Sequence, residues 1–133
     1  MSSTIQKKTI LVVDDDFDLL KQIEIQLKSA GFEVITADGQ EEAEIILKNK
    51  RPDLVVSDLM MENLDGGFSL SYHVKKIDPS IPVIIITGIR DELGFKFTTD
   101  TEAGRSWVKA DAILNKPVRF EQLINEINKY LEY

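Results

Sequence analysis

Six polar residues could carry chemistry in this chain, and they stand at four separate places. Three consecutive carboxylates occupy positions 14–16, and another stands at Asp58. A hydroxyl at Thr87 and an ammonium at Lys116 follow later. Carboxylates that gather in one place raise one another's pKa values unless a cation compensates. If these residues converge, they predict a site for a divalent cation.

The residue types also indicate which cation and which reaction. A ligand set made of oxygen suits Mg²⁺, a small octahedral ion that keeps several waters and uses one or two protein carboxylates. A carboxylate nucleophile, a metal, an ammonium and a hydroxyl together meet the needs of phosphoryl transfer, which depends on positioning and charge neutralisation. We therefore expect Mg²⁺ as the cofactor.

Alternating strands and helices are predicted to position these groups. Apolar runs rich in β-branched residues recur at 10–13, 34–37, 54–56, 83–86 and 112–114. Such continuous runs are typical of a parallel sheet covered on both faces. Apolar residues at helical spacing predict helices over about 17–30, 43–47, 68–77 and 120–131, the first with Phe17 in its buried stripe and closed by Gly31. The pattern predicts an α/β, flavodoxin-like, doubly wound five-stranded parallel sheet of order 2-1-3-4-5.

This strand order brings the candidate residues together. Strands one and three are neighbours, so Asp14 and Asp15 should lie beside Asp58 at the carboxyl edge of the sheet. Thr87 and Lys116 follow strands four and five and should face the same pocket. Asp16 is better explained as a helix N-cap than as a metal ligand. His73 is predicted to be a solvated helix residue.

Composition narrows the functional classes. The chain has 133 residues, a formal charge of −7, no cysteine and one histidine. One domain is expected, direct nucleic-acid binding is disfavoured, and thiolate metal sites and disulfides are excluded. The sequence contains no apolar run of about 20 residues, so membrane insertion is not expected. We expect a cytoplasmic protein with a flexible tail at 1–8, a domain at 9–133 and a lengthened segment at about 88–110.

Four motifs in order make the chain resemble a known family. They are residues 10–16, residues 52–61 leading to Asp65-Gly66, residues 81–87, and Lys116-Pro117. Over nearly its whole length the chain resembles the receiver domain of two-component response regulators. The resemblance implies that Asp58 accepts a phosphoryl group, that Thr87 moves to bond a phosphoryl oxygen and that Lys116 pairs with it. It implies that Mg²⁺ is held by Asp14 (through water), Asp15, Asp58 and the backbone carbonyl of Met60.

The resemblance also implies a function. We expect a single-domain response regulator that accepts its phosphoryl group from a histidine kinase and signals by conformational change. It would not be an enzyme acting on a separate substrate, although it would catalyse its own phosphorylation and dephosphorylation. The expected partners are a sensor histidine kinase or phosphotransfer protein upstream, and a downstream protein or a receiver homodimer.

Two alternatives stay open. Ile113 stands where receivers usually carry Tyr or Phe, and this departure favours a receiver-like protein-binding module that takes no phosphate. The acids at 14–16 also resemble the Asp-x-Asp motif of haloacid-dehalogenase-type phosphatases. That family needs further metal-binding acids and a substrate cap that the sequence does not show, and it would leave Asp58 without a role.

Overall fold

The computed structural model describes residues 7–58, 66–87, 110–116 and 118–131, with backbone only for 66–69 and Thr87. Five parallel strands form one sheet in the order β2-β1-β3-β4-β5. Their bounds are Thr9–Val13 (β1), Glu33–Ala37 (β2), Leu54–Asp58 (β3), Val83–Thr87 (β4) and Ala112–Asn115 (β5). The predicted fold class and strand order are confirmed.

Four helices accompany the sheet in the described residues. They are Phe17–Ser29 (α1), Gln40–Asn49 (α2), Gly66–Ile77 (α3) and Phe120–Leu131 (α4). Helix α1 begins where the Asp16 side chain accepts hydrogen bonds from the backbone N–H groups of Asp18 and Leu19, as the N-cap prediction required. The helix is followed by Gly31, whose φ of 101° lies in the left-handed region that favours glycine.

Each face of the sheet is covered by two helices. Alternate residues of β1 point to opposite faces: Leu11 and Val13 pack with α2 and α3, and Ile10 and Val12 pack with α1 and α4. Leu27 of α1 and Ile127 of α4 are among the largest fully buried side chains. Because both faces of the sheet are covered by the apolar sides of helices, the strand sequences are continuous apolar runs and do not alternate with polar residues.

One predicted core residue is exposed. Phe17 was expected in the buried stripe of α1, but 70% of its surface is accessible. The stripe that is buried consists of Leu20, Ile23 and Leu27. Helix α1 begins at the carboxyl edge of the sheet, so its first residue lies beyond the strands that cover the later turns.

Two predictions about the chain's organisation stay predictions. Residues 1–6 and 88–109 lie outside the described part of the chain, and they contain most of the expected tail (1–8) and of the expected lengthened segment (88–110). Among the described helices, none has both the length and the apolar character needed to cross a membrane.

Candidate functional site

Three carboxylates meet at the carboxyl edge of the sheet. Asp14 directly follows β1, and Asp58 is the last residue of β3. The register pairs Val13 with Ser57, so the residues that follow them are neighbours. One carboxylate oxygen from each of Asp14, Asp15 and Asp58 lies within 4.8 Å of the other two. The sheet topology therefore brings together the acids that the sequence singled out.

Burial makes this cluster electrostatically unfavourable without a cation. Asp14 is 3% exposed and Asp58 is 6% exposed, whereas Asp15 is exposed. The pKa of Asp14 is raised from 3.8 to about 6, with burial as the largest cause and the charges of Asp58 and Asp15 as further causes. The hydrogen bond that the Asp16 N–H donates to Asp14 Oδ1 (2.9 Å) and the charge of Lys116 act in the opposite direction.

Lys116 supplies a positive charge to the cluster. Its Nζ lies 3.0 Å from Asp58 Oδ1, and its side chain is 35% exposed. Burial by itself lowers the pKa of Lys116, but the hydrogen bond and charge of Asp58, with the charges of Asp14 and Asp16, outweigh it and raise that pKa. Within the described residues, one ammonium beside three carboxylates leaves an excess of negative charge at the site.

The donor set fits Mg²⁺. Three carboxylates from two adjacent strand ends provide oxygen ligands, and the exposed Asp15 leaves the cluster accessible to water. This is the arrangement that Mg²⁺ uses, because the ion retains several waters and needs few protein ligands. In the part of the chain that the structure describes, the cluster contains no nitrogen or sulfur ligand that would favour zinc or copper.

The structure describes the other residues singled out from the sequence only in part. Thr87 ends β4 and is paired in register with Asn115, next to Lys116, while its side chain is not described. Met60 and Pro117 lie outside the described residues. Ile113 is half-buried and packs against the core on the α2 and α3 side.

Comparison with known proteins decides the family. A family model described as the response regulator receiver domain matches residues 10–128. The chain belongs to the response regulator receiver family. The resemblance inferred from the four sequence motifs is thereby confirmed.

The chain is similar to the receiver parts of two longer transcriptional regulators. It is 42% identical over 78 residues to the transcriptional regulatory protein GlrR of Escherichia coli K12, covering 59% of this chain and 17% of GlrR. It is 28% identical over 126 residues to the phosphate regulon transcriptional regulatory protein PhoB of Pseudomonas aeruginosa, covering 93% of this chain and 52% of PhoB. The receiver thus spans about half or less of the length of these two relatives.

Solved structures agree over nearly the full chain. A CheY-like receiver domain protein from Methanospirillum hungatei superposes with a TM-score of 0.80 at 26% identity, covering 96% of this chain and 95% of that one. A receiver domain protein from Clostridium thermocellum gives 0.78 at 31% identity, covering 94% of each chain. Both have the described fold.

A groove of about 760 Å³ opens beside the acidic site of this receiver. It runs between α1 and α4, and Lys116 forms part of its wall. Apolar side chains provide most of the lining, including Leu19, Ile23, Ile86 and Leu123. Lys116 therefore faces both the buried Asp58 and an accessible surface.

Sequence reasoning missed several polar contacts of the receiver. It did not single out Asp53 and Asp111, each of which stands one residue before a strand and hydrogen-bonds the neighbouring strand. Their position directly before an apolar run was the available signal. The prediction that His73 is solvated is wrong for its Nε2 atom, which is buried and has no hydrogen-bond partner in the described part of the chain.

Proposed function

We propose that this receiver accepts a phosphoryl group on Asp58 from the phosphohistidine of a sensor kinase or phosphotransfer protein, in a Mg²⁺-dependent reaction. One observation carries the proposal: the buried Asp58 carboxylate lies within a three-acid cluster and 3.0 Å from Lys116 Nζ. A nucleophile, oxygen ligands for a metal and a cation for the transferred group are thus in one place. Membership of the receiver family supports the same reading.

In the proposed step, a carboxylate oxygen of Asp58 attacks phosphorus while the bond between phosphorus and the donor imidazole nitrogen breaks. The imidazole leaves with the electron pair of that bond and takes up a proton. When bound, Mg²⁺ would neutralise charge on the phosphoryl oxygens. Lys116 would transfer its hydrogen bond from Asp58 Oδ1 to a phosphoryl oxygen, and the Thr87 hydroxyl is proposed to donate to another.

Dephosphorylation would use the same residues. Attack of water on phosphorus breaks its bond to the Asp58 oxygen and returns the carboxylate and inorganic phosphate. We therefore infer a protein that catalyses its own phosphorylation and dephosphorylation and does not turn over a separate substrate.

Signalling then depends on a difference between two states of the domain. Moving Lys116 to the phosphoryl group changes the contacts at the end of β5, and a few kcal/mol of differential interaction suffice to shift a two-state equilibrium. The proposed readers are a downstream protein partner or a receiver homodimer. That this is a single-domain regulator stays a prediction, because the relatives GlrR and PhoB are longer transcriptional regulators.

One observation favours a second candidate, a receiver that binds protein partners without taking phosphate. Ile113 is an aliphatic, half-buried residue at the position where an aromatic residue is usual in receivers. A phosphatase of the haloacid-dehalogenase type is disfavoured, because it would give no role to Asp58 and its ion pair with Lys116.

The decisive experiment is intact-protein mass spectrometry after incubation with acetyl phosphate and Mg²⁺. We expect one phosphoryl adduct that disappears with a chelator and in Asp58→Asn. Asp38→Asn is the matched control, because Asp38 is an exposed aspartate just after β2 at the same sheet edge. An adduct that persists in Asp58→Asn contradicts the assignment of Asp58. No adduct from acetyl phosphate or from a phosphorylated phosphotransfer protein, with Mg²⁺ binding intact, supports the phosphate-independent module.

A further inference from the structure

Two aspartates make the same contact at the edge of the sheet opposite the site. Asp53 precedes β3; its Oδ2 accepts a hydrogen bond from Thr9 N at 2.7 Å, and its N–H donates to Thr9 O at 2.7 Å. Asp111 precedes β5; its Oδ2 accepts from Val83 N at 2.8 Å, and its N–H donates to Val83 O at 2.8 Å. Thr9 and Val83 are the first residues of β1 and β4. We call these contacts the Asp53 clip and the Asp111 clip.

The Asp111 clip joins further elements. Lys75 Nζ of α3 lies 2.7 Å from Asp111 Oδ2 and also donates to Ile81 O at 2.7 Å. The Tyr130 hydroxyl of α4 donates to Asp111 O at 2.9 Å. The Lys75 and Asp111 side chains are each about two-thirds or more shielded from solvent. Their hydrogen bond joins a cation to a carboxylate, so it is a strong, directional restraint.

The two clips act on different pairs of strands. The Asp53 clip joins β1 to β3, whose far ends carry Asp14 and Asp58. The Asp111 clip joins β4 to β5, and β5 leads directly into Lys116. Strand β5 has four residues and lies at the edge of the described sheet, so its ladder alone restrains it weakly.

We propose that the clips position separate halves of the phosphoacceptor site: Asp111 positions Lys116, and Asp53 positions the carboxylates of Asp14 and Asp58. The proposal rests on the proposed function. Each clip fixes the register and the starting point of two strands, and a parallel strand transmits that placement to its carboxyl end. Lys116 is held 3.0 Å from Asp58 by an element whose other end is fixed through Asp111.

Two measurements on the same variants test this division. Isothermal titration calorimetry without phosphodonor gives the Mg²⁺ dissociation constant, and intact-protein mass spectrometry gives the rate of phosphorylation by acetyl phosphate at saturating Mg²⁺. For Asp111→Ala we expect the rate to fall about tenfold, as for a misplaced catalytic group, with unchanged Mg²⁺ affinity. For Asp53→Ala we expect weaker Mg²⁺ binding but, at saturating Mg²⁺, a rate close to that of wild type, because a bound ion would itself hold the carboxylates of Asp14 and Asp58 together.

A stability control separates positioning from general weakening. Ile127→Val removes one buried methylene from the fully buried Ile127 of α4 and should change neither quantity. If the alanine variants do not fold, Asp111→Asn and Asp53→Asn, which keep one acceptor oxygen, should show the same division with smaller effects. Parallel changes of rate and Mg²⁺ affinity in both aspartate variants, or an Asp111 variant that behaves like Ile127→Val, overturn the proposal.

Failure of the proposed function gives a different result. A wild-type protein that binds Mg²⁺ but accepts no phosphoryl group from acetyl phosphate or from a phosphorylated phosphotransfer protein refutes that function. It also removes the role assigned to Asp111. Unchanged Mg²⁺ affinity in Asp53→Ala would then refute the role assigned to Asp53.

Discussion

Replacing Asp14 with asparagine should stabilise the metal-free receiver at neutral pH. Asp14 is 3% exposed, and its pKa is raised from 3.8 to about 6, with burial as the largest cause. Between these two values the folded protein holds more protons than the unfolded chain, so the free energy of unfolding falls as the pH rises. Asparagine does not ionise and lacks this dependence.

The magnitude follows from the shift in pKa. About two pKa units at about 1.4 kcal/mol each give a cost of about 3 kcal/mol once Asp14 is fully ionised. About 2 kcal/mol of this cost should develop between pH 4.5 and pH 7.5. Over that interval, the unfolding free energy of Asp14→Asn minus that of wild type should grow by about 2 kcal/mol.

Urea unfolding in the presence of a chelator, followed by circular dichroism at both pH values, measures this difference. Asp38→Asn is the control, because Asp38 is exposed to solvent and its charge is not buried on folding. Excess Mg²⁺ should stabilise wild type more than Asp14→Asn and so reduce the advantage of the variant. A difference that stays constant or shrinks as the pH rises would refute the account of the acidic cluster.

Three further substitutions test the surroundings of the site. Lys116→Ala should destabilise the metal-free protein by about 1–3 kcal/mol, because it leaves the buried Asp58 and Asp14 without their ammonium. This range is lower than for a fully buried ion pair, because Lys116 is partly exposed to solvent. Chemical denaturation should show part of that loss restored by Mg²⁺. Asp16→Ala should cost about 1 kcal/mol in thermal unfolding through the lost N-cap of α1. Phe17→Ser should change stability by less than about 0.5 kcal/mol, because Phe17 is exposed.

The sequence predicts the sheet and the acidic cluster well for a shared physical reason. Strands buried on both faces need continuous apolar runs. The polar residues that follow such a run show where the strand ends. The one or two residues after each run then fall at the carboxyl edge, so Asp14, Asp58 and Lys116 can be brought together from strand order alone.

Contacts that depend on register or on helix placement could not be found in this way. The Asp53 clip joins residues 44 positions apart, and the Asp111 clip joins residues 28 positions apart. Recognising either requires knowing which strand end faces each aspartate. The exposure of Phe17 likewise depends on where α1 begins relative to the sheet, which helical periodicity does not specify.

The charge balance at the site also predicts which part of the domain should move when Asp58 is phosphorylated. With all groups ionised, three carboxylates and Lys116 leave about two negative charges, which one Mg²⁺ balances. Converting the Asp58 carboxylate to an aspartyl phosphate adds up to about one further negative charge. Lys116 is the cation already in contact with Asp58, so it should follow the phosphoryl oxygen and displace the end of β5.

Because β5 is short, lies at the edge of the described sheet and is held at its start by Asp111, this displacement should be concentrated in residues 113–115. Amide hydrogen exchange with and without acetyl phosphate, in the presence of Mg²⁺, measures it directly. We expect altered exchange in β5 and little change in β2, which lies at the opposite edge of the sheet. Changes confined to β1 and β3 would mean that Lys116 does not transmit the new charge, and that Ile113 does not respond to it.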